Sequence, residues 1–324
     1  MISGKRDECN NHFYLICRYF INKKISMKTI ITGISGFVGQ NLSKYLIAHG
    51  NVVEGLSLRK NDWKLKTSAD VIIHLAGKAH DTSNSADPQS YFTVNRDLTI
   101  KLFQQFLTSE IKDFIYFSSV KAVADTVEVL LDENVHPNPL TPYGKSKLEA
   151  EEFLLKQTLP AGKRLFIIRP CMIHGPGNKG NLNLLYQVVN KGIPWPLGSF
   201  SNERSFLSID NLNFLILKML TSKDISSGIY NFADDDKLST NDLIEIIAKV
   251  SGNKSKIWKI NSGLISGFAR AGDFLKLPLN SERLKKLTES YVVSNTKIKM
   301  ALGIDQLPVS AQEGLIKTIK SFKN

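Results

Sequence analysis

Cysteine is scarce in this sequence: Cys9, Cys17 and Cys171 are the whole complement of 324 residues. An odd, scattered trio builds neither a disulfide framework nor a zinc site, and it fits a reducing compartment. The six histidines also lack metal-ligand spacing, so no metal site is expected. No apolar run is long enough to span a bilayer. The nearest, residues 13–21 (FYLICRYFI), is short and broken by Arg18. Asp7 and Glu8 spoil the basic start of a secretory signal, and no small-residue cleavage site follows. Internal repeats, low-complexity tracts and the dense basic stripe of a nucleic-acid reader are missing too. The expectation is a cytoplasmic protein with no nucleic-acid partner and no stable membrane insertion.

What is present is ordinary globular composition, 42% hydrophobic and 22% charged. The length allows one large α/β domain with a smaller lobe. The net charge of +12 is unevenly spread. Residues 1–28 carry six basic and two acidic side chains, residues 251–324 thirteen and five, and the stretch between them is neutral. The C-terminal excess suits an anionic small molecule such as a diphosphate, or a solvated basic face. MKTIITG from Met27 reads like a protein start, so residues 1–26 are expected to be an extension. A membrane-surface anchor is the alternative reading of that segment.

Apolar β-branched runs at 28–33, 52–58, 71–76, 114–119 and 165–169 alternate with helical patterns at 91–108 and 142–156. A further helix, with Leu42, Leu46 and Ile47 on one face, stops at Gly50. This rhythm predicts βαβ units around a parallel sheet covered on both faces. After about residue 171 it loosens, with helical patterns at 183–190, 211–221 and 240–250. The expected fold is therefore α/β: a Rossmann doubly wound parallel sheet over 27–170, and a smaller C-terminal substrate-binding lobe over 171–324. Segments at about 204–240 are expected to return to the Rossmann domain. The amphipathic runs 263–269 and 311–319 read as packing helices, not membrane binders. Trp195 and Phe206 suit either the lobe core or stacking on a base.

Thr32-Gly33-Ile34-Ser35-Gly36-Phe37-Val38-Gly39 joins the first strand to the first helix. Gly33 permits a tight turn, Gly36 lets the backbone approach a pyrophosphate, and Gly39 lets the helix pack closely. The helix start then offers free N–H groups to the phosphates. Where an NAD site often places an acid at the end of the second strand, this chain reads EGLSLR (54–59). Arg59 there suits a 2′-phosphate or is an ordinary loop cation, which leaves NAD or NADP open.

Tyr143 and Lys147 lie four apart, on one face of a helix that Pro142 can start. A free phenol titrates near 10. A nearby ammonium and a positive nicotinamide ring both favour its phenolate, which could take a proton from a sugar hydroxyl. Ser118 and Ser119 end a strand at the ligand edge, and Ser119 is the preferred hydrogen-bond partner of the reacting oxygen.

Together these residues resemble the extended short-chain dehydrogenase/reductase family of nucleotide-sugar epimerases and dehydratases. The resemblance runs from residue 28 to about 302. It rests on TGISGFVG (32–39), HLAG (74–77), Asn95, FSSVK (117–121), TPYGKSK (141–147), IIRP (167–170), HGPG (174–177) and RSFLSIDNL (204–212). It implies that Phe37, Val38, Leu75, Ala76, Gly77, Asn95 and Ser118 line the cofactor, with Tyr143, Lys147 and Pro170 near the nicotinamide. It further implies that Asn181, Arg204 and Arg283 hold the nucleotide-diphosphate end of a UDP-sugar, a task the arginine fork suits. Homodimerisation through a helix pair is also a family expectation. Two departures stand out: Val120 where members often carry Ser or Thr, and Ala124-Asp125 where many show Tyr-Gly. The acid pair that dehydration needs is missing after the serines, which sets that reaction aside.

Three functions follow as expectations. One is a UDP-hexose or UDP-N-acetylhexosamine 4-epimerase. The second is a 4-keto reductase for UDP-N-acetylated 6-deoxy sugars. The third is a non-catalytic NAD(P)-sensing module, which should lack Tyr143 or Lys147. The motifs do not separate the first two.

Overall fold

In a computed structural model, residues 26–60, 62–65, 68–79, 87–178, 181–275 and 280–323 are described. Five buried runs form consecutive parallel ladders: β1 (Lys28–Thr32), β3 (Val71–His74), β4 (Asp113–Phe117), β5 (Arg164–Pro170) and β8 (Gly228–Phe232). β2 (Val52–Leu56) adds an edge beside β1. The sheet order is β2-β1-β3-β4-β5-β8, so the order reverses between β1 and β3. Ligands of open α/β sheets bind at the carboxyl ends of the strands flanking such a switch.

The two sheet faces sort the strand residues by parity. Ile31, Ile73, Ile115, Phe117, Phe166 and Ile168 pack with Leu42 and Leu46 of α1 (Phe37–Ala48) and with Leu212, Leu215 and Met219 of α6 (Ile209–Thr221). Ile30, Ile72, Phe114, Tyr116 and Ile167 pack with Leu102, Phe103 and Phe106 of α3 (Leu98–Leu107) and with Ala150 and Leu154 of α4 (Pro142–Leu155). Each fully buried side chain of this size contributes about 1.5–3 kcal/mol. Ile47, expected on the core face of α1, instead stands exposed.

The chain enters α3 through a short α2 (Gln89–Phe92) and a π-helical turn at Thr93–Asp97. Beyond β5 it builds a small second sheet, β6 (Met172–His174), β7 (Arg204–Ser208) and β9 (Lys237–Leu238), in the order β6-β7-β9. α5 (Asn181–Asn190), α7 (Thr240–Ser251), α8 (Ser262–Leu275), α9 (Ser281–Thr288), α10 (Thr296–Leu302) and α11 (Ala311–Lys320) complete the described helices. A separate core in this half gathers Trp195, Phe206, Leu243, Ile247, Ile265, Leu315 and Ile319. Trp195 and Phe206 are therefore core residues.

Candidate functional site

The glycine loop sits at the β1 end of the switch. Gly36 N–H closes a tight turn on the Gly33 carbonyl at 3.0 Å. Gly33 has φ 70°, the left-handed region that suits glycine, and a Cβ there would meet the Ala76 nitrogen at 2.8 Å. A Cβ on Gly39 would collide with the Gly33 carbonyl and come within 2.6 Å of the Ile34 Cα. Gly36 caps α1 without any side-chain bond, and the first turn, which includes Phe37 and Val38, carries no acid. Its N–H groups are thus unopposed by negative charge, as an anion requires.

The β3 end is held by a relay of buried polar groups. Thr32 Oγ1 accepts from the Ala76 N–H at 3.1 Å and lies 2.6 Å from His74 Nδ1. His74 Nε2 lies 2.8 Å from Thr99 Oγ1, whose hydroxyl donates to the Asn95 carbonyl at 2.7 Å. Since each hydroxyl has one proton, this pattern assigns His74 as the neutral Nε2–H tautomer, accepting at Nδ1. Burial first, then the Lys147 ammonium, drives its pKa down to about 3. Asn95, buried in the π-helical turn, accepts from the Lys78 N–H at 2.7 Å. Its amide donates to the Lys78 carbonyl and to Ser146 Oγ of α4, both at 3.0 Å. Leu75, Ala76 and Gly77 are therefore strung between pinned residues, and Asn95 ties their far end to α4.

α4 brings the chemistry. Thr141 caps it, accepting from the Gly144 N–H, and Pro142 sits in its first turn. Tyr143, Lys147 and Glu151 fall at i, i+4 and i+8, so one stripe of α4 turns polar groups inward. Lys147 and Glu151 are buried. Glu151 pairs with the buried Arg169 of β5. A sequence pattern sought in apolar residues overlooks this pair, although its spacing from Tyr143 was readable.

Ser119 Oγ accepts from the Lys121 N–H at 3.2 Å, and its hydroxyl hydrogen-bonds the Tyr143 phenol. Tyr91 stands edge-on to Tyr143 at 6.3 Å between ring centroids, a neighbour that sequence reading did not flag. Burial raises the phenol above its ordinary value, and the Ser119 bond works against that rise. Lys147 Nζ donates to the Phe117 carbonyl at 2.8 Å, sits over the Tyr116 ring, and would lie 3.2 Å from a Cβ on Gly77. Burial lowers Lys147 itself to about 8.

The departures from the family pattern have structural places. Val120 is buried in the core. Asp125 accepts from the Leu140 N–H at 2.7 Å, fixing the approach to α4.

Gly144 decides how close α4 comes to Ser119. A Cβ there would collide with the Lys121 carbonyl and meet Pro139 Cβ at 2.8 Å. Gly144→Ala is therefore expected to cost about 1–3 kcal/mol and to lower kcat by parting Tyr143 from Ser119. Thermal unfolding and steady-state kinetics check this, and an alanine variant with wild-type kcat would refute it.

On the other side of the crevice, Arg204 opens β7, half-buried, paired through its backbone with Leu238 of β9. Burial lowers it, opposed by Glu289. It bridges to Tyr291, whose hydroxyl donates to the carbonyls of Val120 and Ala124 beside Ser119. Pro170 ends β5, and Ser118 Oγ is buried without a partner among the described residues. Arg59 is exposed just past β2, and Arg283 is exposed in the first turn of α9. Asn181 is the first residue of α5, and its side chain lies outside the described residues. Among the described residues, no His, Cys, Asp or Glu cluster could hold a metal. The glycine cradle, the bare helix start and the orphaned Ser118 hydroxyl fit a dinucleotide at the switch.

The family described as NAD dependent epimerase/dehydratase matches residues 29–233. The chain is 29% identical over 325 residues to a UDP-glucose 4-epimerase of Vibrio cholerae, covering 93% of this chain and 97% of that protein. It is 28% identical to the N-acetyl-alpha-D-glucosaminyl-diphospho-ditrans,octacis-undecaprenol 4-epimerase of Escherichia coli O157:H7, over 90% of this chain and 94% of that one. Among solved structures, RMD from Pseudomonas aeruginosa complexed with NADPH shares the fold with a TM-score of 0.70 at 21% identity. The match covers 92% of this chain and 99% of that one.

Proposed function

This chain belongs to the NAD dependent epimerase/dehydratase family, and within it we propose a 4-epimerase of UDP-hexoses or UDP-N-acetylhexosamines that keeps NAD or NADP in its glycine cradle. The observation that carries the reading is the Ser119–Tyr143 hydrogen bond on a helix whose next inward turn is the buried Lys147. The two similar proteins named above are both 4-epimerases, of a UDP-sugar and of a lipid diphospho-sugar. What they have in common is inversion at C4 of a sugar diphosphate.

The bound dinucleotide would act as hydride acceptor and donor. The chain's own residues do the rest. Tyr143 takes the proton of the C4 hydroxyl and later returns it. Ser119 aims that oxygen, and Lys147 adds positive charge one helical turn behind the phenol. Burial alone favours neutral phenol, so these partners bring the phenolate within reach. Arg204 and Arg283, with Asn181, hold the diphosphate while the keto sugar turns over to present its other face.

A second reading, a UDP-4-keto-sugar reductase, draws on Arg59: no acid stands at the end of β2, and a guanidinium there suits a 2′-phosphate. Incubation of the purified protein with a panel of UDP-sugars separates the two readings, with both C4 epimers and the absorbance of reduced nicotinamide followed together. Interconversion of epimers without net cofactor consumption is the expected result. Stoichiometric use of NADPH by a 4-keto sugar, with no epimerisation, would replace it by the second reading.

A further inference from the structure

α8 is apolar on two faces, and the lobe covers only one of them. Ile265 and Ala269 turn inward and join the lobe core. Leu264, Phe268 and Phe274, at i, i+4 and i+10, run along another face and stand 61%, 72% and 90% exposed. Trp258, in the extended segment leading to α8, is 56% exposed. The run 263–269 thus packs with one part of its apolar surface, Ile265 and Ala269, and leaves Leu264 and Phe268 in water, which departs from its reading as a packing helix and not a membrane binder. Large apolar side chains grouped on one surface mark an interaction site.

The chemistry around the stripe names the partner. Residues 251–285 hold seven basic and two acidic side chains. Lys254, Lys256 and Lys259 are exposed on the segment entering α8, and Arg270 is exposed on α8 itself. One of the two acids, Asp273, is occupied, accepting from the Ser281 N–H and hydroxyl of α9 at 2.9 and 2.6 Å. Aromatic and leucine side chains on one face with lysine and arginine beside them are the signature of a helix lying in a membrane interface, where anionic lipid meets the cations. Among the described residues no helix is long and apolar enough to cross a membrane.

We propose that α8, with Trp258 and the lysines before it, docks this protein reversibly onto an anionic lipid surface without spanning it. The site depends on none of the groups assigned to the redox reaction. Docking would bring α9, which packs on α8 and carries Arg283, to the lipid surface.

Co-sedimentation of the full chain with phosphatidylglycerol and with phosphatidylcholine vesicles tests the proposal, with the triple variant Leu264→Ser, Phe268→Ser, Phe274→Ser as control. We expect the wild-type chain to bind the anionic vesicles at least tenfold more tightly than the neutral ones. Binding should weaken with salt, and it should be lost in the variant while thermal unfolding and solution activity are kept. Equal binding to both lipids, or wild-type binding by the variant, would overturn the proposal; the latter would place any affinity elsewhere, residues 13–21 included. A concentration-dependent dimer that the same substitutions dissociate, with no vesicle binding, would assign the face to a second copy instead. Because sedimentation needs no turnover, this result is independent of the epimerase assay.

Discussion

Tyr143→Phe is expected to lower kcat by about 10²–10⁴-fold, the range that a positioned acid–base group supplies, while dinucleotide and UDP-sugar affinities change little. The substitution removes one oxygen from a ring that is already packed against Tyr91, so it leaves no new cavity. What it removes is the partner of Ser119 and the proton's destination. Calorimetric binding of both ligands, alongside turnover, checks the split between kcat and affinity. A phenylalanine enzyme with undiminished turnover would sink the catalytic assignment and return the chain to the class of non-catalytic binders.

The second large effect is on stability, and it belongs to His74. The unfolded chain's imidazole takes a proton near pH 6.5, whereas the buried native ring resists until about 3. From 6.5 downward the unfolded state therefore binds a proton that the native state refuses, and stability falls as pH falls. The whole gap corresponds to about 5 kcal/mol, of which about 2–3 kcal/mol is gone by pH 4.5. His74→Gln keeps hydrogen-bonding atoms but cannot titrate. It should start less stable at pH 7 and lose about 2–3 kcal/mol less than wild type between pH 7 and 4.5. Urea unfolding at the two pH values measures the difference, and parallel losses in both proteins would show that His74 does not carry the acid sensitivity.

The parts of the molecule that could be read from sequence share a physical cause. β3, β4 and β5 are buried on both faces, so their centres, 71–73, 114–117 and 165–168, are unbroken apolar runs. The glycine loop was legible because backbone collisions at Gly33 and Gly39 leave no other residue type. Tyr143 and Lys147 were legible from helical spacing. The π-helical turn was not, because nothing in Thr93–Asp97 distinguishes it from the α-helix around it. It coincides with the contacts of Asn95 with Lys78 and Ser146, which lie far away in sequence. The His74 relay was hidden for the same reason, since its members are 25 and 42 residues from the histidine. The burial that raises the Tyr143 phenol was not legible, because it is a property of the packed site and leaves no trace in local spacing. α8 failed differently: periodicity shows that a helix has an apolar face, but not how many faces the rest of the chain will cover.

The last strand of the main sheet has a consequence for biosynthesis. β8 pairs with β5, yet 62 residues separate Pro170 from its partner Phe232. At translation speeds of about 5–20 residues per second, the β5 margin waits on the order of 3–12 s on the ribosome before its neighbour is made. During that interval a row of unpaired amides and carbonyls is open to any extended segment nearby. Nascent chains stalled between residues 170 and 232 should be the aggregation-prone species, and the ones that chaperones hold longest.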